Sequence, residues 1–186
     1  MCGYWSEAPF IWGMRVYALV DPAEVELTIA PENARKLVEA GSRIHRAINR
    51  QLNIVHPEIP AINGIAYVMF VSRTEDGTPV GATIMPPGRI DRSPCGTGNA
   101  ARAACMAARG ALDVGDRFTA RSIIGSRFDV EIDRAVTLGN RAAIVPMVSG
   151  RAWIYGIHQI GVDPTDPYPE GFAVADCWGD AFDLLN

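Results

Sequence analysis

Asp91-Arg92-Ser93-Pro94-Cys95-Gly96-Thr97-Gly98 runs directly into Asn99-Ala100-Ala101-Arg102-Ala103-Ala104-Cys105-Met106-Ala107-Ala108, and this junction decides how the chain folds. A cysteine on a Gly-rich turn opens a helix whose side chains are nearly all small. Backbone N–H groups in a first helical turn lack intrahelical acceptors and carry partial positive charge, so the position favours a thiolate and offers a seat for a carboxylate. Asp91, four residues before the thiol, is placed to receive an ammonium while the turn amides hold that carboxylate. Together they outline an amino-acid site. The plainer alternative is a buried structural cysteine beside a tight turn.

Outward from the junction, residues 99–112 read as a helix that neighbours can approach closely on every side, as at the centre of a wrapped sheet. Cys105 and Met106 within it are packing residues on this reading. Upstream, Pro86-Pro87-Gly88 breaks a strand over 80–85, which a turn at Glu75-Asp76-Gly77-Thr78 joins to a buried strand over 65–71. Pro31 suits the first turn of a helix over 31–51, with Leu37, Ile44, Ile48 and Leu52 on one face; Gly41 weakens it without ending it. Residues 16–20 and 25–29 flank Asp21-Pro22 and are expected as neighbouring strands. Downstream, Gly115-Asp116 restarts extended structure, followed by strands over 128–132, 142–148 and 152–160. A proline-punctuated loop then leads to Gly171-Phe172.

Composition bounds the rest. With 186 residues, 48% hydrophobic content, 20% charged residues and a net charge of −4, the chain reads as one soluble domain with a sizeable core. Acids outnumber bases and Lys36 is the single lysine, so no basic block invites nucleic acid. No apolar run approaches the roughly 18 residues of a membrane span, and the N-terminus lacks a secretory pattern; the expected location is cytoplasmic. Cysteines at 2, 95, 105 and 177 have no Cys-x-x-Cys spacing, which points away from zinc and from a disulfide framework. His45, His56 and His158 are dispersed and are read as structural or solvent-facing, so no metal site is expected.

Asp91 to Gly98, Ala101-Arg102, Ser122-Ile123-Ile124-Gly125-Ser126-Arg127-Phe128, Ile144-Val145-Pro146, Asp166-Pro167 and Gly171-Phe172 resemble the second-domain signature of the proline racemase and hydroxyproline epimerase family. The resemblance runs over about residues 10–178, with Asn99 standing where Thr or Ser is expected. It implies a diaminopimelate-epimerase-like α+β architecture in which two lobes close on the substrate. One lobe is expected here, over residues 10–186: a curved mixed sheet wrapped around the Ala-rich helix, with the helix of 31–51 packed outside. Residues 1–9 are then a disordered or remnant N-terminus.

The reaction the resemblance implies uses no cofactor and no metal. Two cysteines face opposite sides of the substrate α carbon, one thiolate removing a proton and one thiol returning another. By carry-over Cys95 is the second of these, the amides of Gly96 and Thr97 bind the substrate carboxylate, and Asp91 binds the ring nitrogen. Family members carry a first domain with its own Cys-Gly-His segment, so the chain is expected to be truncated; Cys2-Gly3, with Tyr4 in the histidine's place, reads as a frayed end rather than a productive partner. The expected function is inversion of proline or 4-hydroxyproline, a small imino acid. The alternative is a silent truncated remnant that at most binds one. A 3-hydroxyproline dehydratase is disfavoured because those relatives have threonine where this chain has Cys95. The face carrying Cys95, uncovered by a second lobe, favours a homodimer.

Overall fold

Runs of β-branched and aromatic residues, interrupted by two helical stretches, fold in the computed structural model, which describes residues 15–171, into seven strands and two α-helices among those residues. In chain order these are β1 (Tyr17–Val20), α1 (Ala34–Gln51), β2 (Tyr67–Arg73), β3 (Pro79–Met85), β4 (Arg89–Ile90), α2 (Gly96–Ala108), β5 (Arg117–Ser122), β6 (Arg127–Leu138) and β7 (Arg141–Gly150). The strands form one sheet in the order β1-β2-β3-β5-β6-β7, with β4 paired to β3. The β1–β2 and β3–β5 pairs are parallel and the others antiparallel. Parallel neighbours cannot be joined by a hairpin, and α1 and α2 supply the two crossovers.

Period-two alternation divides the interior into two layers. Ala18 and Val20 of β1, Val68 and Phe70 of β2, and Ala82 and Ile84 of β3 pack with Leu37, Ala40 and Ile48 of α1. The intervening residues Tyr17 and Met69 face the other way and pack with Cys95 and Ala101 at the start of α2. The helix α2 touches β1 at one end of the strand order and β6 and β7 at the other. One helix can meet both ends only if the sheet curls around it. Ala101, Arg102 and Ala103 are buried in succession, so more than one face of α2 is covered, as its small side chains permit. The expected α+β lobe, a curled mixed sheet around the Ala-rich helix with α1 outside, is the observed one.

Arg102 ties α2 to the sheet. Its guanidinium donates to Ser72 O at 2.9 Å and Val80 O at 3.2 Å, carbonyls of residues that oppose each other across the β2–β3 ladder. Burial lowers the Arg102 pKa to about 10, with help from Arg73, and the group stays cationic at neutral pH.

Gly41 marks the closest approach of α1 to the sheet. A Cβ there would lie 2.6 Å from Ile84 Cγ1 and 3.0 Å from Ile84 Cβ. Gly41→Ala gains about 1 kcal/mol of helix propensity but forces an overpacking cost of about 1–3 kcal/mol. Because Ile84 Cβ is fixed to the backbone, the clash is expected to win by about 1 kcal/mol, read as a lower urea midpoint with an unchanged slope.

Several expectations are corrected. Residues 25–29 form no strand: Asp21 Oδ1 accepts from Ala23 N at 2.9 Å and caps a 3-10 turn at Pro22–Val25, and Glu26 adopts φ 56°. Asp-Pro is here a helix start rather than a hairpin corner, while Val25, Leu27 and Ile29 still pack on the α1 core. The neighbour of β1 is therefore β2, brought alongside by α1. Leu52 lies past the end of α1 and is 40% exposed, not on the packed face. The helix α2 begins at Gly96 and stops at Ala108, short of 112, because Gly110 takes φ 67° and its N–H and that of Ala111 close on Ala107 O and Met106 O. β6 runs well beyond 128–132 and pairs with β7, which is close to the expected 142–148, as a long hairpin.

The chain divides into two compact units, Met1–Arg151 and Ala152–Asn186. In the second, residues 152–160 have no strand structure although Trp153, Ile154, Tyr155 and Ile157 have strand propensity. Propensity makes a strand only where a ladder partner exists, and none pairs with them among the described residues. Residues 163–170 form the expected proline-rich turns. Cys2-Gly3, Phe172 and Cys177 lie outside the described residues.

Candidate functional site

The turn that carries Cys95 is built from short-range hydrogen bonds in a fixed stagger. Asp91 N donates to Thr83 O at 2.9 Å, which anchors the turn to β3. Asp91 Oδ1 then accepts from Ser93 N at 2.8 Å, and Ser93 Oγ accepts from Cys95 N at 3.0 Å. Asp and Ser at alternate positions suit this pattern because their short side chains reach a backbone N–H two residues on. The result places Cys95 at the N-cap of α2 with φ 66°, a left-handed conformation unusual for a residue with a Cβ.

Asn99 holds the inner side of the turn. It is wholly buried, and its Nδ2 donates to Pro94 O and to Cys95 O, while its own N–H donates to Cys95 O at 2.9 Å. The departure at Asn99 thus acts on the capping geometry: the side-chain amide secures two carbonyls that a one-atom hydroxyl could not both serve. The N–H groups of Gly96, Thr97 and Gly98 belong to the first turn and have no intrahelical acceptor. Gly96 is half-buried and Thr97 exposed, so these amides lie at the mouth of the site.

The Cys95 thiol is 7% exposed and sits in a small cluster with Tyr17, Met69 and Ala101, flanked by Leu19, Tyr67 and Val71. Gly98 fixes how tightly the cluster closes, because a Cβ there would lie 2.8 Å from Met69 Sδ, 3.0 Å from Cys95 Sγ and 3.3 Å from Tyr17 Cε1. The second glycine of Gly-Thr-Gly is a packing requirement. Tyr17 Oη lies 3.4 Å from Cys95 Sγ and 2.6 Å from Thr97 Oγ1, and Cys95 Sγ lies 3.9 Å from Thr97 Oγ1. Burial, with the neighbouring thiol, holds the Tyr17 phenol well above its ordinary pKa, so it stays protonated.

The structure therefore gathers Cys95, Gly96 and Thr97 at one helix end, with Asp91 reaching that end through Ser93. Tyr17 escaped the sequence reading. It lies 78 residues from Cys95, and in sequence it is one aromatic residue in an apolar strand. The available signal was alternation, since Val16 and, within β1, Ala18 and Val20 face one core, so that Tyr17 must face the other. Cys105 is buried in α2, and burial pushes its thiol pKa up, in keeping with packing rather than chemistry.

His45 and His56 are structural. His45 Nε2 lies 2.8 Å from Ile65 O, and the buried His56 accepts at Nδ1 from Glu58 N and Ile59 N, holding the loop between α1 and β2. Among the described residues no group of three or more His, Cys, Asp or Glu side chains is placed to hold a metal. No helix among them is long and apolar enough to cross a membrane.

Comparison with known proteins matches residues 8–173 to the family model described as proline racemase. A 4-hydroxyproline 2-epimerase of Allorhizobium ampelinum is 48% identical over 184 residues, covering 98% of this chain and 53% of that protein. One from Agrobacterium fabrum is 50% identical over 168 residues, covering 90% and 49%. The crystal structure of a hydroxyproline epimerase from Agrobacterium vitis, with bound trans-4-hydroxy-L-proline, superposes with a TM-score of 0.76 at 49% identity, over 92% of this chain and 50% of that one. A probable proline racemase from Agrobacterium radiobacter, with bound carbonate, gives 0.75 at 49% identity over 89% and 48%. The chain spans about half the length of the curated relatives it matches.

Proposed function

The chain belongs to the proline racemase family, and from that premise we propose that it supplies one half of an imino-acid epimerase site, with Cys95 as an acid/base at the substrate α carbon. The observation that carries the reading is the arrangement at the start of α2: a buried sulfur and the open amides of Gly96 and Thr97 on a single turn. In this reading the two amides hold the substrate carboxylate, assisted by the helix dipole, and Asp91 receives the ring nitrogen. The Cys95 thiolate takes the α proton; the C–H bond breaks, an S–H bond forms, and the electron pair remains on the α carbon beside the held carboxylate. A second thiol on the opposite face then gives a proton to that carbon. Neither step consumes a cofactor or a metal.

One thiol cannot serve both faces, so inversion needs a second thiol on the face of the α carbon opposite Cys95. The substrate class follows the relatives named for 4-hydroxyproline, with proline as the alternative. A second reading is a chain that only binds an imino acid, through the open amides of Gly96 and Thr97 and through Asp91. The test is 1H NMR of trans-4-hydroxy-L-proline and of L-proline in D2O with the purified chain. Loss of the α-proton signal with inversion supports a complete two-thiol site, and loss with retention supports Cys95 acting alone. No loss with either compound leaves the binding-only reading.

A further inference from the structure

We propose that Tyr17 is a positioning residue for the Cys95 sulfur, its single hydroxyl proton shared between Cys95 Sγ and Thr97 Oγ1 so that the charge on the sulfur sets the direction of the Thr97 hydroxyl. The proposal rests on reading Cys95 as the proton-transferring thiol. Tyr17 comes from β1, outside the turn that carries the thiol, yet its oxygen is in contact with both partners, at 3.4 Å and 2.6 Å. Its ring is held by Tyr67, whose centroid is 5.4 Å away at 52°, and by the close fit at Gly98.

A phenol has one proton to give and two lone pairs to accept with. When Cys95 is a thiol, S–H donates to Tyr17 Oη and Tyr17 O–H donates to Thr97 Oγ1, leaving the Thr97 proton free for a carboxylate at the open amides. When Cys95 is a thiolate, Tyr17 O–H turns to the sulfur and Thr97 O–H turns inward to Tyr17. Removal of the substrate proton by the sulfur thus hands the Thr97 proton outward, toward the carboxylate whose α carbon has just gained the electron pair. Each hydrogen bond in such a chain polarises the next.

The groups around the sulfur leave this role to Tyr17. In the cluster around the sulfur, the ionisable groups beside Cys95 are Tyr17 from β1 and Tyr67 from β2. On the approach to α2, Asp91 is engaged by Ser93 N, and Arg92 is exposed. On α2 itself, Arg102 is directed at strand carbonyls. Among the described residues, the hydrogen-bond partners of Sγ are Tyr17 and Thr97, and only Tyr17 reaches it within 3.5 Å.

The test is a pH titration of 13Cβ-cysteine by NMR on the full chain, with the Cys95 signal identified by its loss in Cys95→Ser. Tyr17→Phe keeps the ring and its packing while removing the proton, and is expected to raise the Cys95 midpoint by about one pH unit, the scale of a hydrogen bond to a charged group. Thr97→Val keeps the Tyr17 hydroxyl and removes its competing acceptor, so its midpoint is expected at or below that of the unaltered chain. Opposite behaviour of the two variants is the signature of a shared proton. An unchanged midpoint in Tyr17→Phe, or equal upward shifts in both variants, overturns the proposal. The titration requires no substrate, so absent α-proton exchange would retire the epimerase reading independently of this result.

Discussion

Cys95→Ser is expected to lower α-proton exchange on trans-4-hydroxy-L-proline by about a hundredfold to ten-thousandfold, the range over which a positioned acid/base acts. Serine keeps the shape of the side chain, the N-cap position and the capacity to hydrogen-bond Tyr17, so the fold and the amides of Gly96 and Thr97 are expected to be retained. What is lost is the sulfur, since an aliphatic hydroxyl remains protonated where a thiol yields a nucleophilic, basic anion. The check is the exchange rate followed by NMR alongside a thermal melt. A serine variant that melts with the parent but no longer exchanges places the chemistry on the sulfur. Undiminished exchange would remove Cys95 from it.

Phe70→Ala is expected to cost about 3–5 kcal/mol of stability, the range for deleting a large aromatic side chain from a core. Phe70 is fully buried, on the face of β2 that packs under α1, where Leu37 and Val68 are equally inaccessible. Rigid backbone on both sides, from the β1 and β3 ladders, leaves the cavity little room to collapse. Against a typical total of about 5–15 kcal/mol, the loss is large enough to populate the unfolded chain at moderate urea. Ile124→Ala is the matched control: its side chain is 58% exposed, and the change is expected to stay within about 0.5 kcal/mol. A Phe70→Ala variant as stable as this control would show that the α1 layer is not the core.

The two layers were legible in the sequence to different degrees. β2 announces itself because Val68 and Phe70 serve one core and Met69 the other, giving an apolar run too short for a helix. The Cys95 turn was legible because its hydrogen bonds are local, Asp91 to Ser93 to Cys95. Residues 25–29 misled because Val25, Leu27 and Ile29 alternate as a strand would, yet they reach the α1 core from a turn after Asp21 caps the chain. The end of α2 was misplaced because the alanine pattern continues past Gly110, whose left-handed backbone stops the helix whatever follows. Tyr17 illustrates the remaining limit. Its meeting with Cys95 depends on β1 lying beside β2 and the sheet curling about α2, and no local pattern encodes a contact that two crossovers create.

The left-handed backbone at Cys95 sets backbone strain against the proposed role of its sulfur at one codon. A side chain bearing a Cβ is held there at a cost of about 1–3 kcal/mol, which glycine would relieve. Laboratory evolution that rewarded only resistance to heat would weigh that relief against the packing of the buried Cys95 side chain with Tyr17, Met69 and Ala101, which glycine would forfeit.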